Sequence, residues 1–146
     1  MGIYLNPDSS KFEEAVNSDI YVDKTGLLTY TNSVLHTMQK YICISRPRRF
    51  GKSTAANMLT AYYSRGCDAE QIFSQFEIAK DSGFKKYLNK YNTISVNMQE
   101  ILSRSRSIYE LIERFNKLLI RDLKKEYPDV DYFDDTDVIE CMQDVY

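Results

Sequence analysis

Apolar side chains recur along this chain with two periods, and each period marks a different kind of element. In "KSTAANMLTAYYSRG", Ala55, Met58, Leu59 and Tyr62 fall at i, i+3, i+4 and i+7, which predicts an amphipathic helix stopped at Gly66. "SIYELIERFNKLLIRDLKKEY" carries a longer stripe of the same kind: Ile108, Leu111, Ile112, Phe115, Leu118, Leu119 and Leu123. Glu110 with Arg114 and Glu113 with Lys117 stand at i, i+4 spacing along it. Other stretches read as strands. Residues 41–45, "YICIS", are apolar at nearly every position, the pattern of an interior parallel strand covered on both faces. "TISVNM", Thr93 to Met98, predicts a second strand, and Ile20 to Val22 a brief one running into Asp23, the N-cap of a helix through about Leu35.

Shorter helices fill the remainder. A capping box from Ser10 to Glu13 opens one whose Phe12 and Val16 face inward. Residues 67–91 hold one or two around "AEQIFSQF" and "GFKKYLN", and another begins at Thr136, with Asp134, Asp135 and Asp137 near its positive end. The order strand, loop, helix around residue 50 sets the expected class as α/β, with parallel strands flanked by helices.

Composition narrows the partners. The 146 residues are 43% hydrophobic and 27% charged, enough for one modest domain with a core. A net charge of −2, from 19 basic and 21 acidic residues, gives no global field for nucleic acid or an anionic membrane, so any basic function is local. No apolar run approaches the roughly 18 residues that span a bilayer, and the N-terminus reads as no signal peptide, so no membrane role and a cytoplasmic location are expected. Gly2 is followed by Asn6 where a myristoylation signal needs Ser or Thr. Cys43, Cys67 and Cys141, widely spaced beside a single histidine, His36, suit reduced and mostly buried thiols rather than zinc.

One stretch concentrates chemistry: "SRPRRFGKST", residues 45–54. A phosphate loop reads G-x-x-x-x-G-K-[ST] between a buried strand and a helix, because its backbone N–H groups and the helix start together surround an anion. Gly51, Lys52 and Ser53 match its end, while Arg46 stands at the first glycine's place. Gly51 admits phosphate oxygens close to the backbone; Lys52 supplies charge to the β- and γ-phosphates of ATP; the Ser53 hydroxyl can complete the shell of Mg²⁺. Thr54 is the next N–H and hydroxyl in line. Pro47 removes one donor and stiffens the loop, and Phe50 belongs to the same cofactor-binding stretch. Arg48 and Arg49 can fork onto phosphate, or one can face solvent. The plain alternative is a basic turn with Lys52 solvated.

"IYVDKTGLL" followed by "ISRPRRFGKST" resembles the predicted AAA-ATPase-like family of bacterial and archaeal proteins. In that family Arg-Pro-Arg-Arg-Phe replaces the usual glycine-led stretch, and a Tyr-Val-Asp-Lys-Thr segment precedes it. "QIFSQFEIAK" and "NTISVNM" resemble later landmarks, so the likeness covers nearly the whole chain. The resemblance implies a P-loop ATPase module of AAA type, with residues 1–146 as the N-terminal part of a single domain and no second domain. It also implies an acidic strand, ending Asp-Glu, that holds Mg²⁺ and readies water; "LLIRD", "SVNMQE" and "DVIE" do not supply one. The expectation is therefore an incomplete sheet, impaired hydrolysis, and completion by a missing C-terminal part or another copy of the chain.

Other features have plainer readings. Asp23, Lys24 and Thr25 can reach the nucleotide or its metal, while Asp23 equally suits a helix cap. "PDVDYFDDTDVIE" lacks the central glycine and the alternating ligands of a calcium loop and reads as a solvated acidic cap. Arg114, Lys117, Arg121 and Lys124 give the long helix a basic side, diluted by Glu113 and Asp122. His36 reads as structural, and the 12 tyrosines as packing in a tryptophan-free core. The second functional reading, in which Arg46, Arg48, Arg49 and Lys52 bind nucleic acid or an acidic protein, needs no catalysis.

Overall fold

A computed structural model describes residues 2–45 and 47–146. Helices occupy 51% of it, and no strand or sheet forms among the described residues. The expected α/β class with parallel strands is therefore replaced by a helical architecture. The reason lies in pairing. A β-branched run can lie in a sheet, but it becomes a strand only when a neighbour takes up its N–H and C=O groups. Residues 41–45 find no such neighbour and lie exposed, with Tyr41, Ile42 and Ile44 at 86%, 39% and 40%. Cys43 is exposed with them, which corrects the expected burial of the thiols; Cys67 is half-buried and Cys141 buried.

The other two predicted strands shrink for related reasons. Around residues 20–22, Ile20 and Val22 are exposed while Tyr21 turns into the core against Phe12 and Phe76. Residues 93–98 keep one antiparallel bridge, Leu5 to Ile94, with the Ser95 N–H donating to the Tyr4 carbonyl at 2.9 Å. Asn97 then ends the extended run, because its side chain accepts the Gln99 N–H at 3.1 Å and starts a helix, Met98–Ser103.

The chain forms two compact units. One, Asp8–Thr93, contains α1 (Ser10–Val16), α2 (Gly26–Val34), α3 (Lys52–Tyr63), α4 (Glu70–Phe73), a 3-10 turn (Glu77–Lys80) and α5 (Phe84–Tyr87). The short helices expected in residues 67–91 are thus present. Its core is aromatic: Phe12 stacks on Phe73 with centroids 5.1 Å apart, and Tyr62 meets Phe73 edge-on at 5.2 Å. Met58, Ala61, Leu28 and Ile78 fill the space between. The buried Tyr62 hydroxyl is satisfied, accepting from the Asn32 amide and donating to the Phe84 carbonyl, both at 3.1 Å. Burial likewise pushes the Tyr63 phenol well above its ordinary value while its hydroxyl donates to Asn32 Oδ1 at 2.8 Å.

Helix α3 ends at Tyr63, three residues before the expected stop at Gly66. Its last carbonyls are taken up by Asn89, whose side-chain amide donates to Ala61 and Ser64, each at 2.8 Å, and whose backbone N–H donates to Tyr62 at 2.7 Å. A residue far along the chain thus caps the helix.

The second unit, Met1–Pro7 with Ile94–Tyr146, contains α6 (Met98–Ser103), α7 (Ile108–Glu126) and α8 (Val138–Val145). The predicted stripe of α7 buries Leu119 and Leu123, half-buries Leu111, Phe115 and Leu118, and leaves Ile108 and Ile112 exposed. Its start is capped by Ser107, which accepts the Glu110 N–H, while Glu110 accepts the Arg106 N–H at 2.7 Å. Along its basic side Lys117 pairs with Glu113 at 2.6 Å and Lys124 with Asp135 at 2.6 Å.

Asp122 holds this unit together. Its carboxylate is 2% exposed and accepts the N–H groups of Tyr4 at 2.7 Å and Leu5 at 3.3 Å, fastening the N-terminal segment to α7. Asp122→Ala leaves those donors without an acceptor, and the expected cost is about 2 kcal/mol. Urea unfolding of the variant against wild type measures it; a loss under about 0.5 kcal/mol would show that water replaces the carboxylate. Among the described residues no helix is long and apolar enough to cross a membrane.

Candidate functional site

The candidate loop is a turn on the surface of the first unit, leading directly into α3. Arg48 and Arg49 form the turn, Phe50 and Gly51 bend the chain, and Lys52 is the first helical residue. Arg49 and Gly51 both take left-handed backbone angles, φ 68° and 73°. Glycine adopts this region freely, whereas for arginine it costs about 1–2 kcal/mol. The Ala55 N–H donates to the Gly51 carbonyl at 2.9 Å, which closes the first helical turn. Gly51, at the cap position, brings no side-chain acceptor to that turn. The positive end of the α3 dipole therefore meets Lys52, Ser53 and Thr54 with no carboxylate or hydroxyl from the cap itself.

Beside the loop lies a cavity of about 400 Å³ within the first unit. Ile20, Val22, Phe50 and Gly51 line it together with Ala55 and Met58 of α3. Ser18, Tyr21, Lys24, Arg49 and Thr54 are the polar residues of its lining. Of the candidate site residues singled out in the sequence, Lys24, Arg49, Phe50, Gly51 and Thr54 line this space. Lys52 and Ser53 are exposed on the adjoining first turn of α3, and Pro47 and Arg48 are exposed in the loop. Arg46 lies outside the described residues.

The "VDKT" segment is placed by a clamp that its spacing alone did not disclose. The cap of α2 is Thr25 and not Asp23 as expected; Asp23 Oδ1 instead accepts the Thr25 N–H at 2.8 Å, and Oδ2 accepts the Glu77 N–H at 3.0 Å. Thr25, fully buried, accepts the Ile78 N–H on its hydroxyl at 3.2 Å. These bonds tie the start of α2 to the 3-10 turn. Lys24, between the two clamped residues, reaches the loop, and its Nζ donates to the Phe50 carbonyl at 3.2 Å.

Partial burial opposes ionisation of Asp23, but the hydrogen bonds from Glu77 and Thr25 outweigh it and hold the carboxyl below its ordinary range. A depressed folded value means that its stabilisation is complete above the unfolded value of about 3.9 and is lost as pH falls through the folded one. Melting curves of wild type and Asp23→Asn from pH 7 to pH 3 should therefore converge at the acid end. A gap that widened on acidification would overturn the assignment.

Among the described residues no group of three or more His, Cys, Asp or Glu could hold a metal ion. Neither a curated protein nor a solved structure was found to match the chain. A family model described as predicted AAA-ATPase matches residues 9–144, a span that takes in the clamp, the loop and all the helices from α1 to α7. The chain belongs to the predicted AAA-ATPase family.

Proposed function

We propose that the chain binds Mg-ATP, with the triphosphate held by the backbone of residues 47–54 and the ammonium of Lys52. The observation that carries this reading is the left-handed Gly51 set directly before α3, with a helix start that its cap residue leaves without a side-chain acceptor. A Cβ-free residue at that point lets an anion approach backbone donors where the helix dipole favours negative charge. The neighbouring cavity offers Ile20, Val22, Phe50 and Met58 as an apolar place for the nucleoside. Family membership supports ATP as the nucleotide.

The residues suit Mg²⁺ only as a companion of the phosphates. Ser53 offers one hydroxyl, and both oxygens of Asp23 are committed to backbone N–H groups. Bound this way, the ion would neutralise charge between the β- and γ-phosphates. We assign binding, not water activation, to these residues. Arg48 and Arg49 add forked donors at the rim.

Thermal unfolding with and without Mg-ATP tests the reading, with Lys52→Ala as its control. Affinity for nucleic acid that falls steeply with salt, in the absence of any response to Mg-ATP, would favour the non-catalytic basic-loop reading instead.

A further inference from the structure

We propose that Lys24 is the positioning residue of the phosphate loop: by holding the Phe50 carbonyl it sets the direction of the Gly51 N–H. The proposal rests on the nucleotide reading for its consequence, while its structural content stands apart from it. The Lys24 ammonium donates to the Phe50 oxygen at 3.2 Å, across 26 residues of chain. That carbonyl and the Gly51 N–H belong to one peptide group, which is planar and trans, so the two point in opposite directions. A cation fixed on the oxygen side therefore turns the Gly51 N–H away from Lys24.

This peptide needs such a hold. The Phe50–Gly51 peptide turns on the ψ of Phe50 and the φ of the left-handed Gly51, and glycine accepts either sign of φ at little cost, so the peptide can flip cheaply without an external restraint. A flipped peptide would present an oxygen where the site needs a donor. Lys24 is suited to the task because its own backbone is fixed: Asp23 and Thr25, on either side, are hydrogen-bonded to Glu77 and Ile78.

Close approach couples Gly51 to the lysine directly, because a side chain there would push the end of Lys24 aside. A Cβ built there would lie 2.6 Å from Lys24 Nζ. The glycine thus makes room for the restraint as well as for the backbone angle, and the 3-10 turn, Lys24 and the loop form one mechanical line.

The test uses the full chain and three variants, Lys24→Met, Lys24→Arg and Gly51→Ala, read by the Gly51-region amide signals without nucleotide and by Mg-ATP affinity. Lys24 is exposed, so Lys24→Met should melt near wild type. In Lys24→Met the amide signals of residues 50–52 should shift or exchange faster, and affinity should fall about fivefold to tenfold, the scale of one ordinary hydrogen bond. Lys24→Arg, which keeps a donor of similar reach, should recover most of both. Gly51→Ala should disturb the same amides. Unchanged amides in nucleotide-free Lys24→Met overturn the proposal, even if affinity falls, because the lysine would then act as a plain phosphate contact. If wild type fails to bind Mg-ATP, the nucleotide reading falls, and the amide comparison still decides whether Lys24 positions the loop.

Discussion

Lys52→Ala should erase the thermal stabilisation that Mg-ATP confers on the wild-type chain. A ligand that binds only the folded state adds RT ln(1 + [L]/Kd), about 2.7 kcal/mol at a hundredfold excess over Kd. Lys52 is exposed on the first turn of α3, so its removal should change stability without nucleotide by no more than about 0.5 kcal/mol. The effect then appears only in the ligand-dependent difference, which separates loss of binding from loss of folding. Arg48→Ala should weaken the response without abolishing it, because a forked contact at the rim supplements the backbone donors and does not replace them. Differential scanning fluorimetry over a Mg-ATP series reads all three proteins. Equal stabilisation of wild type and Lys52→Ala would exclude Lys52 from the site, and no stabilisation of wild type would remove ATP as the ligand.

Phe12→Ala should cost the first unit about 3–5 kcal/mol, the range for emptying a buried aromatic site. The ring is fully buried and lies nearly parallel to Phe73, at 13° and 5.1 Å, with Tyr21 edge-on at 6.0 Å and Phe76 tilted at 6.4 Å. Three elements converge on it: α1, which carries it; the segment that leads into Asp23; and the stretch from α4 to the 3-10 turn. Its loss should therefore loosen Tyr21 and the clamp behind it, so the response to Mg-ATP should shrink along with stability. Phe12→Leu fills most of the space and should cost less. Denaturant unfolding gives the difference, and a cost below about 1 kcal/mol would mean that the aromatic cluster collapses onto the gap.

Local signals in the sequence were read well where they concerned helices. The spacing of Ala55, Met58 and Tyr62 placed three buried residues on one face of α3, and the stripe of α7 was legible to its last buried leucine. Caps shifted by one residue: Ser9, not Ser10, pairs with Glu13, because Ser10 is occupied by Asp8, whose carboxylate accepts its hydroxyl at 2.5 Å. Strands were misread because "YICIS" and "TISVNM" have the composition of sheet residues, and composition does not report whether a partner lies alongside. The family resemblance was correct, and the sheet it implied was not found.

Within the site, the motif identified the loop but not its supports. Nothing in the spacing of "VDKT" indicates that Asp23 and Thr25 would reach Glu77 and Ile78, or that Lys24 would reach Phe50. Those contacts join segments more than twenty residues apart.

The chain's own order of residues decided which stretches become helices and where a cation-rich turn meets a helix start. These properties depend on neighbours three or four positions away, within reach of a periodicity or a backbone angle. Tertiary structure alone decided that the apolar runs would lie unpaired, that Asn89 would cap α3, and that Lys24 would hold the loop. Each of those turns on whether two distant segments come within about 3 Å, and such proximity is set by packing, which no local pattern encodes.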